Sequence, residues 1–189
     1  MKRILLFVVA LSVASMLYAQ GEVEIKDGTP FMYVYMEFQG PHHEGLPEKF
    51  GIFIQELRNQ ELLPKISGDS FSILFDSPLL VVGRDTVWGL GFKIQKDASV
   101  QAPLIMKKFD YPKVVTIISK GPYETALGNA QNIIIPYIEE KGLEVVGPPI
   151  EIWLGNPRED KPEDLGVEII IPIREPKKRV KIILFLYLY

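Results

Sequence analysis

Cysteine is absent from the chain, and its absence excludes disulfides, thiolate zinc sites, a cysteine nucleophile and the lipid-modified cysteine of a bacterial lipoprotein. Histidine is nearly absent. The only two, His42 and His43, are neighbours, and an adjacent pair with no partner histidine or cysteine makes a poor metal site, so they read as a solvated loop and neither metal nor cofactor is expected. Ser70, Ser72 and Thr86 have no histidine at a recognisable spacing, which removes a serine-hydrolase triad. Charge of one sign is not in excess either. With 21 Lys and Arg against 24 Asp and Glu, there is no concentrated basic surface for phosphates, and no nucleic-acid partner is expected.

A membrane span is missing as well. The apolar run of residues 4–17 is shorter than the roughly 20 residues needed to cross a bilayer. It follows Met1-Lys2-Arg3 and precedes Leu17-Tyr18-Ala19-Gln20, the charged, hydrophobic and small-residue order of a secretory signal. Residues 1–19 are therefore expected to be a signal peptide cut after Ala19, which makes the protein periplasmic or secreted; an uncleaved anchor is the alternative, and both place the domain outside the cytoplasm. The remaining chain, in a sequence 47% hydrophobic, can bury a sizeable core without disulfide staples.

The chain repeats itself. At an offset of 81, Gly40-Pro41 falls on Gly121-Pro122, and Leu46, Ile52, Ile54 and Leu62 fall on Leu127, Ile133, Ile135 and Leu143. At an offset of 79, Gly68 falls on Gly147, Phe71 on Ile150, Ile73 on Ile152, Phe75 on Leu154 and Pro78 on Pro157. A single two-residue deletion reconciles the offsets. Coincidence of glycines and prolines matters most, because these residues punctuate backbone geometry.

Each half shows the same order of periodicities. Residues 31–38 read as a strand, 45–60 as an amphipathic helix, and 71–75 and 87–94 as two further strands. In the second half, 114–119 is a strand. Leu127, Ala130, Ile134 and Ile138 mark a helix that Pro136 should kink and Gly142 should stop, and 150–154 and 167–173 are strands. The expected fold is α+β, a duplicated β-α-β-β unit with pseudo-twofold symmetry. Its antiparallel sheet carries two helices on one side and a ligand groove on the other. The halves are 28–94 and 113–173, with a linker at 95–112 and a tail at 174–189. In that tail Lys177, Lys178, Arg179 and Lys181 lead into a hydrophobic run, open to three roles: an added strand, contact with a membrane surface, or a partner-binding segment.

The residues Gly121-Pro122-Tyr123-Glu124, Gly142-Leu143-Glu144, Gly147-Pro148-Pro149-Ile150-Glu151-Ile152-Trp153-Leu154, Asn156-Pro157 and Val167-Glu168-Ile169-Ile170-Ile171-Pro172-Ile173 resemble the GyrI-like small-molecule-binding domain. That family includes effector-binding halves of AraC- and MerR-type regulators, and the haem-binding SOUL proteins look like distant relatives. The resemblance implies a groove for flat, hydrophobic and often cationic compounds, with aromatic walls and a buried glutamate that falls here on Glu168. Strand alternation adds candidates of its own: Glu151 and Trp153 share a face, as do Tyr33 and Tyr35, and Trp88 and Phe92 sit on the third strand. A carboxylate between aromatic walls attracts a delocalised cation.

The function expected is binding of a small hydrophobic or cationic molecule without chemistry. The alternative from another class is a hydrolase of electrophilic compounds with Glu168 as general base and Trp153 or Tyr35 against the substrate. Core packing is an equally good account of Phe92, and a solvated position on a strand with one wet face is the alternative reading of the two glutamates.

Overall fold

A computed structural model describes residues 21–41, 44–76 and 86–176. The expected signal peptide, His42 and His43, Pro78 and the tail from residue 177 lie outside the described residues. Alternation sets the strands. In β2 (Phe31–Gly40), one parity carries Phe31, Tyr33 and Tyr35 and the other Met32, Val34, Met36 and Phe38, so the strand is apolar on both faces and is covered on both.

The remaining elements are β1 (Glu24–Asp27), α1 (Leu46–Asn59), β3 (Ile66–Leu74), β4 (Thr86–Ile94), β5 (Ile105–Phe109), β6 (Lys113–Lys120), α2 (Tyr123–Lys141), β7 (Glu144–Val145), β8 (Ile150–Leu154) and β9 (Gly166–Arg174). Each expected strand and helix is present. Pro136 lies inside α2 on its exposed side, and Gly142 caps the helix in the left-handed conformation at φ 61°. Two strands fall outside the expected bounds: β1 precedes residue 28, and β5 occupies part of the segment expected to be a linker. β1 carries a single apolar residue, and Lys107 and Lys108 interrupt the apolar pattern of β5, so neither carries the periodic signal of a covered strand.

All pairs are antiparallel, in the order β1-β6-β9-β8-β3-β4-β2-β5, with β7 on the end of β9. The order is palindromic, so β1-β6-β9-β8 is the image of β5-β2-β4-β3. The duplication read in the sequence is therefore a pseudo-twofold axis in space, running between β8 and β3.

Chain connectivity curls the sheet. In that order β5 and β6 stand six strand spacings apart, about 29 Å in a flat sheet at about 4.8 Å per strand. Only Asp110, Tyr111 and Pro112 join Phe109 to Lys113, and such a connection reaches at most about 14 Å. The two ends must approach one another, and on the inner face Phe109 and Tyr111 pack in one cluster with Ile150 and Ile152 from the centre of the sheet.

Both helices lie on the outer, convex face. The register Leu90–Ser72–Glu151–Ile169 runs across four strands on one side of the sheet. On that side α1 sets Phe53 and Leu57 on Val34, Trp88 and Leu90, while α2 sets Ala126, Ala130, Ile134 and Ile138 on Val115, Val167 and Ile169. Fully burying each Phe, Leu or Ile of these two cores contributes about 1.5–3 kcal/mol.

Candidate functional site

The inner face is built by one parity of every strand. A single row of paired residues crosses it, Ile118–Glu168–Ile152–Phe71–Gly91–Tyr35–Ile105. Gly91 and its neighbour on this face, Gly89, leave flat ground, and rings lie over both. A Cβ at Gly91 would meet Phe71 Cε2 at 2.6 Å, and one at Gly89 would meet Tyr35 Cδ2 at 2.9 Å. Tyr33, Tyr35, Phe71, Phe75, Phe31 and Phe109 then pack ring against ring, with centroids 4.9–6.4 Å apart from Phe31 through Phe75. These spacings suit edge and offset contacts between aromatics.

Charge sits on the rings and at their margins. The ammonium of exposed Lys107 lies 5.3 Å from the Tyr35 centroid and 5.5 Å from that of Phe75, and Lys93 lies 4.8 Å from that of Phe31. The Tyr35 hydroxyl donates to Glu37 Oε1 at 3.2 Å. Burial pushes the Tyr35 phenol up to about 12, helped by the Glu37 charge, and burial does the same to Tyr33. On the other side of the axis Glu168, with its side chain 18% exposed, accepts from Thr116 Oγ1 at 3.0 Å and Lys26 Nζ at 3.3 Å.

The seven residues singled out from the sequence do not form one groove. Glu168 is registered against Ile152, and Glu151 against Ile169, so the two glutamates point to opposite faces of the sheet. Tyr33, Tyr35 and Glu168 share the inner face, while Trp88, Phe92, Glu151 and Trp153 are on the helix side. Trp88 is fully buried under α1, its ring 5.3 Å from that of Phe38. Glu151 is 1% exposed and accepts from Gln131 Nε2 at 3.2 Å. Burial raises its carboxyl to about 8, with the Gln131 bond working against the shift.

Phe92 and Trp153 line a cavity of about 1010 Å³ on the helix side. Phe92 stacks on Phe53 at 5.8 Å. Trp153 meets the Tyr123 ring edge-on at 5.2 Å and donates from Nε1 to Ser72 Oγ at 3.2 Å.

Sequence reasoning missed Glu37, Lys107, Phe71 and Phe75 on the inner face. Glu37 had a usable signal, because it shares the parity of Tyr33 and Tyr35. Lys107 had none, since it lies on the unrecognised β5.

No curated protein matches the chain. The family model for the GyrI-like small molecule binding domain matches residues 21–174. Among solved structures, the EcmrR C-terminal domain superposes with a TM-score of 0.71 at 16% identity, over 82% of this chain and 99% of that one. A hydrolase encoded by lin2189 from Listeria innocua gives 0.57 at 13% identity, over 85% of this chain and 96% of that one. SAV2435 bound to tetraphenylphosphonium gives 0.54 at 13% identity, over 81% and 94%. At these identities the likeness is one of fold.

Proposed function

The chain belongs to the family of GyrI-like small-molecule-binding domains, and from that membership we propose that it holds a flat, hydrophobic, preferably cationic organic molecule on the inner face of the curled sheet. The observation that carries this reading is the placement of Lys107. Its ammonium rests over the rings of Tyr35 and Phe75, the position in which a delocalised ligand cation gains most from an aromatic face. Lys107 is exposed and held by no backbone constraint beyond its strand, so its side chain can swing aside and leave the rings to a ligand. Glu37 and Glu168, one from each half, supply negative charge at the two margins. The proposed partner is a small molecule, and no nucleic acid is proposed.

Tetraphenylphosphonium is the first probe, because a relative of the same fold has been solved with it. Titration of the mature domain, followed by calorimetry, should give saturable binding that competing lipophilic cations displace. Absence of saturable binding for tetraphenylphosphonium and for planar cationic dyes alike would remove the reading.

The hydrolase alternative needs a carboxylate free to activate water. In the structure the Glu168 carboxylate is already engaged by Thr116 and Lys26, and no water-activating role is proposed for it. Export is proposed on the N-terminal pattern. Sequencing the protein purified from its host should find Gln20 as the first residue, and a retained Met1 in a membrane fraction would select the anchored alternative.

A further inference from the structure

We propose that the open edge of β1 is the docking site of this chain's own C-terminal segment, with residues 180–189 lying antiparallel to β1 as an added strand. Every residue of β1 is exposed, and among the described residues only β6 pairs with it. Its outer side therefore presents unpaired backbone N–H and C=O groups, the template to which a further strand adds. Charged side chains usually guard such an edge. Here two of the three on β1 are turned back into the sheet: Lys26 Nζ lies 3.3 Å from Glu168 Oε1, and Asp27 Oδ1 lies 2.8 Å from Lys113 Nζ.

An exposed hydrophobic side chain stands at this edge on each face of the sheet. Among the described residues four large hydrophobic side chains are exposed, Ile25, Ile52, Leu63 and Ile118, and two of them are here. Ile25 is opposite Val115 on the helix side. Ile118 is opposite Glu168 on the inner side, and Gly21, just before β1, is pressed against its carbonyl. A single strand covers both only if both of its parities are apolar. Residues 182–189 are an unbroken apolar and aromatic run, the pattern of a strand covered on both faces, as β2 is.

The chain leaves β9 beside this edge. Both β9 and β1 run antiparallel to β6, and they end at the same side of the sheet, where Pro172 pairs with Val114 and Asp27 with Lys113. The Lys113 ammonium is held above the usual lysine range by its bond to Asp27 and by the Asp27 charge, and the charge of Glu175 adds to this, so Glu175 stands near that end of β1. Outward from β9 come β6 and then β1, which puts a strand beyond β1 three spacings away, about 14 Å. Residues 175–179 reach about 18 Å, and a return from the Asp27 end runs antiparallel to β1. Charge agrees with this edge. Glu22 and Glu24 meet Lys177, Lys178, Arg179 and Lys181, whereas the opposite edge, β5, presents Lys107 and Lys108.

The chain has no cysteine, so a pair can be introduced without interference. In the mature protein, Ile25→Cys is combined with one tail substitution at a time, from Ile182→Cys through Tyr187→Cys, and each double variant is oxidised. A disulfide needs Cβ atoms about 3.5–4.5 Å apart, and successive residues of a strand point to opposite faces. Bridges should therefore form within one chain and at alternate tail positions, at least about fivefold faster than at the positions between. In the unsubstituted protein, hydrogen exchange of the tail amides should be at least about tenfold slower than in an unpaired chain. Equal bridging at all six positions, or bridging at none, would overturn the proposal. So would bridges formed only between chains, which would give the edge to the tail of a second copy, and so would tail protection that appears only with anionic vesicles, which would place the tail on a membrane. None of these results depends on ligand binding at the inner face.

Discussion

Ser72 and Glu151 are equivalent residues of the two repeats, and their Cα atoms face one another across the β3–β8 pair. The flanking pairs obey the same symmetry, Phe71 opposite Ile152 and Ile73 opposite Ile150. The pseudo-twofold axis therefore passes between a buried hydroxyl and a buried carboxyl. Substitution since the duplication has made the axis chemically asymmetric: Ser72 accepts from Trp153, while Glu151 accepts from Gln131.

That carboxyl makes stability depend on pH. Glu151 has a folded pKa of about 8 against an ordinary value of 4.5, so between these limits the folded state binds more protons than the unfolded one. Its contribution is fully present below about pH 4.5 and is lost as pH rises towards 8, up to an upper bound of about 5 kcal/mol. Urea denaturation of the mature domain at pH 5 and pH 8 should show this fall, and Glu151→Gln should flatten it. An identical pH slope in the variant would assign the dependence to other groups.

The two buried phenols act at the alkaline end. Tyr33 and Tyr35 have folded values of about 12 against an ordinary 10.0, so their stabilising contribution holds below pH 10 and disappears as pH rises towards 12. Absorbance titration should show two tyrosines ionising only together with unfolding, and one fewer in Tyr35→Phe.

Charge on the inner face should tune affinity in both directions. Lys107→Met removes a resident cation from the Tyr35 and Phe75 rings and should strengthen tetraphenylphosphonium binding by about threefold to tenfold. Glu168→Gln and Glu37→Gln should each weaken it. If neither glutamine variant changes the affinity, charge is not part of recognition and the face selects on shape alone.

Gly91 is required for a packing reason. A methyl group there would sit 2.6 Å from Phe71 Cε2 and 3.1 Å from the Val34 carbonyl oxygen. Phe71 is fully buried, so the ring has little room to retreat. Gly91→Ala should therefore cost about 1–3 kcal/mol by overpacking, measurable as a lower urea midpoint, whereas Gly128→Ala, with nothing within 4 Å of its added carbon, should be neutral or stabilising.

What the sequence determined by itself was the local geometry and its repetition. Hydrophobic period distinguishes helix from strand within a few residues, and the coincident glycines and prolines fixed the two-copy plan, both helices and six of the strands. Parity along one strand is equally local, which is why Tyr33 pairs with Tyr35 and Glu151 with Trp153 in the sequence as in space. Only the tertiary structure decided which parities of different strands share a face. Glu168 and Glu151 lie on adjacent strands, and a shift of one residue in their register would put both glutamates on the same side. That register is set between two strands of the second half across the connection 155–165, when that half packs its sheet under α2, and no local pattern encodes it.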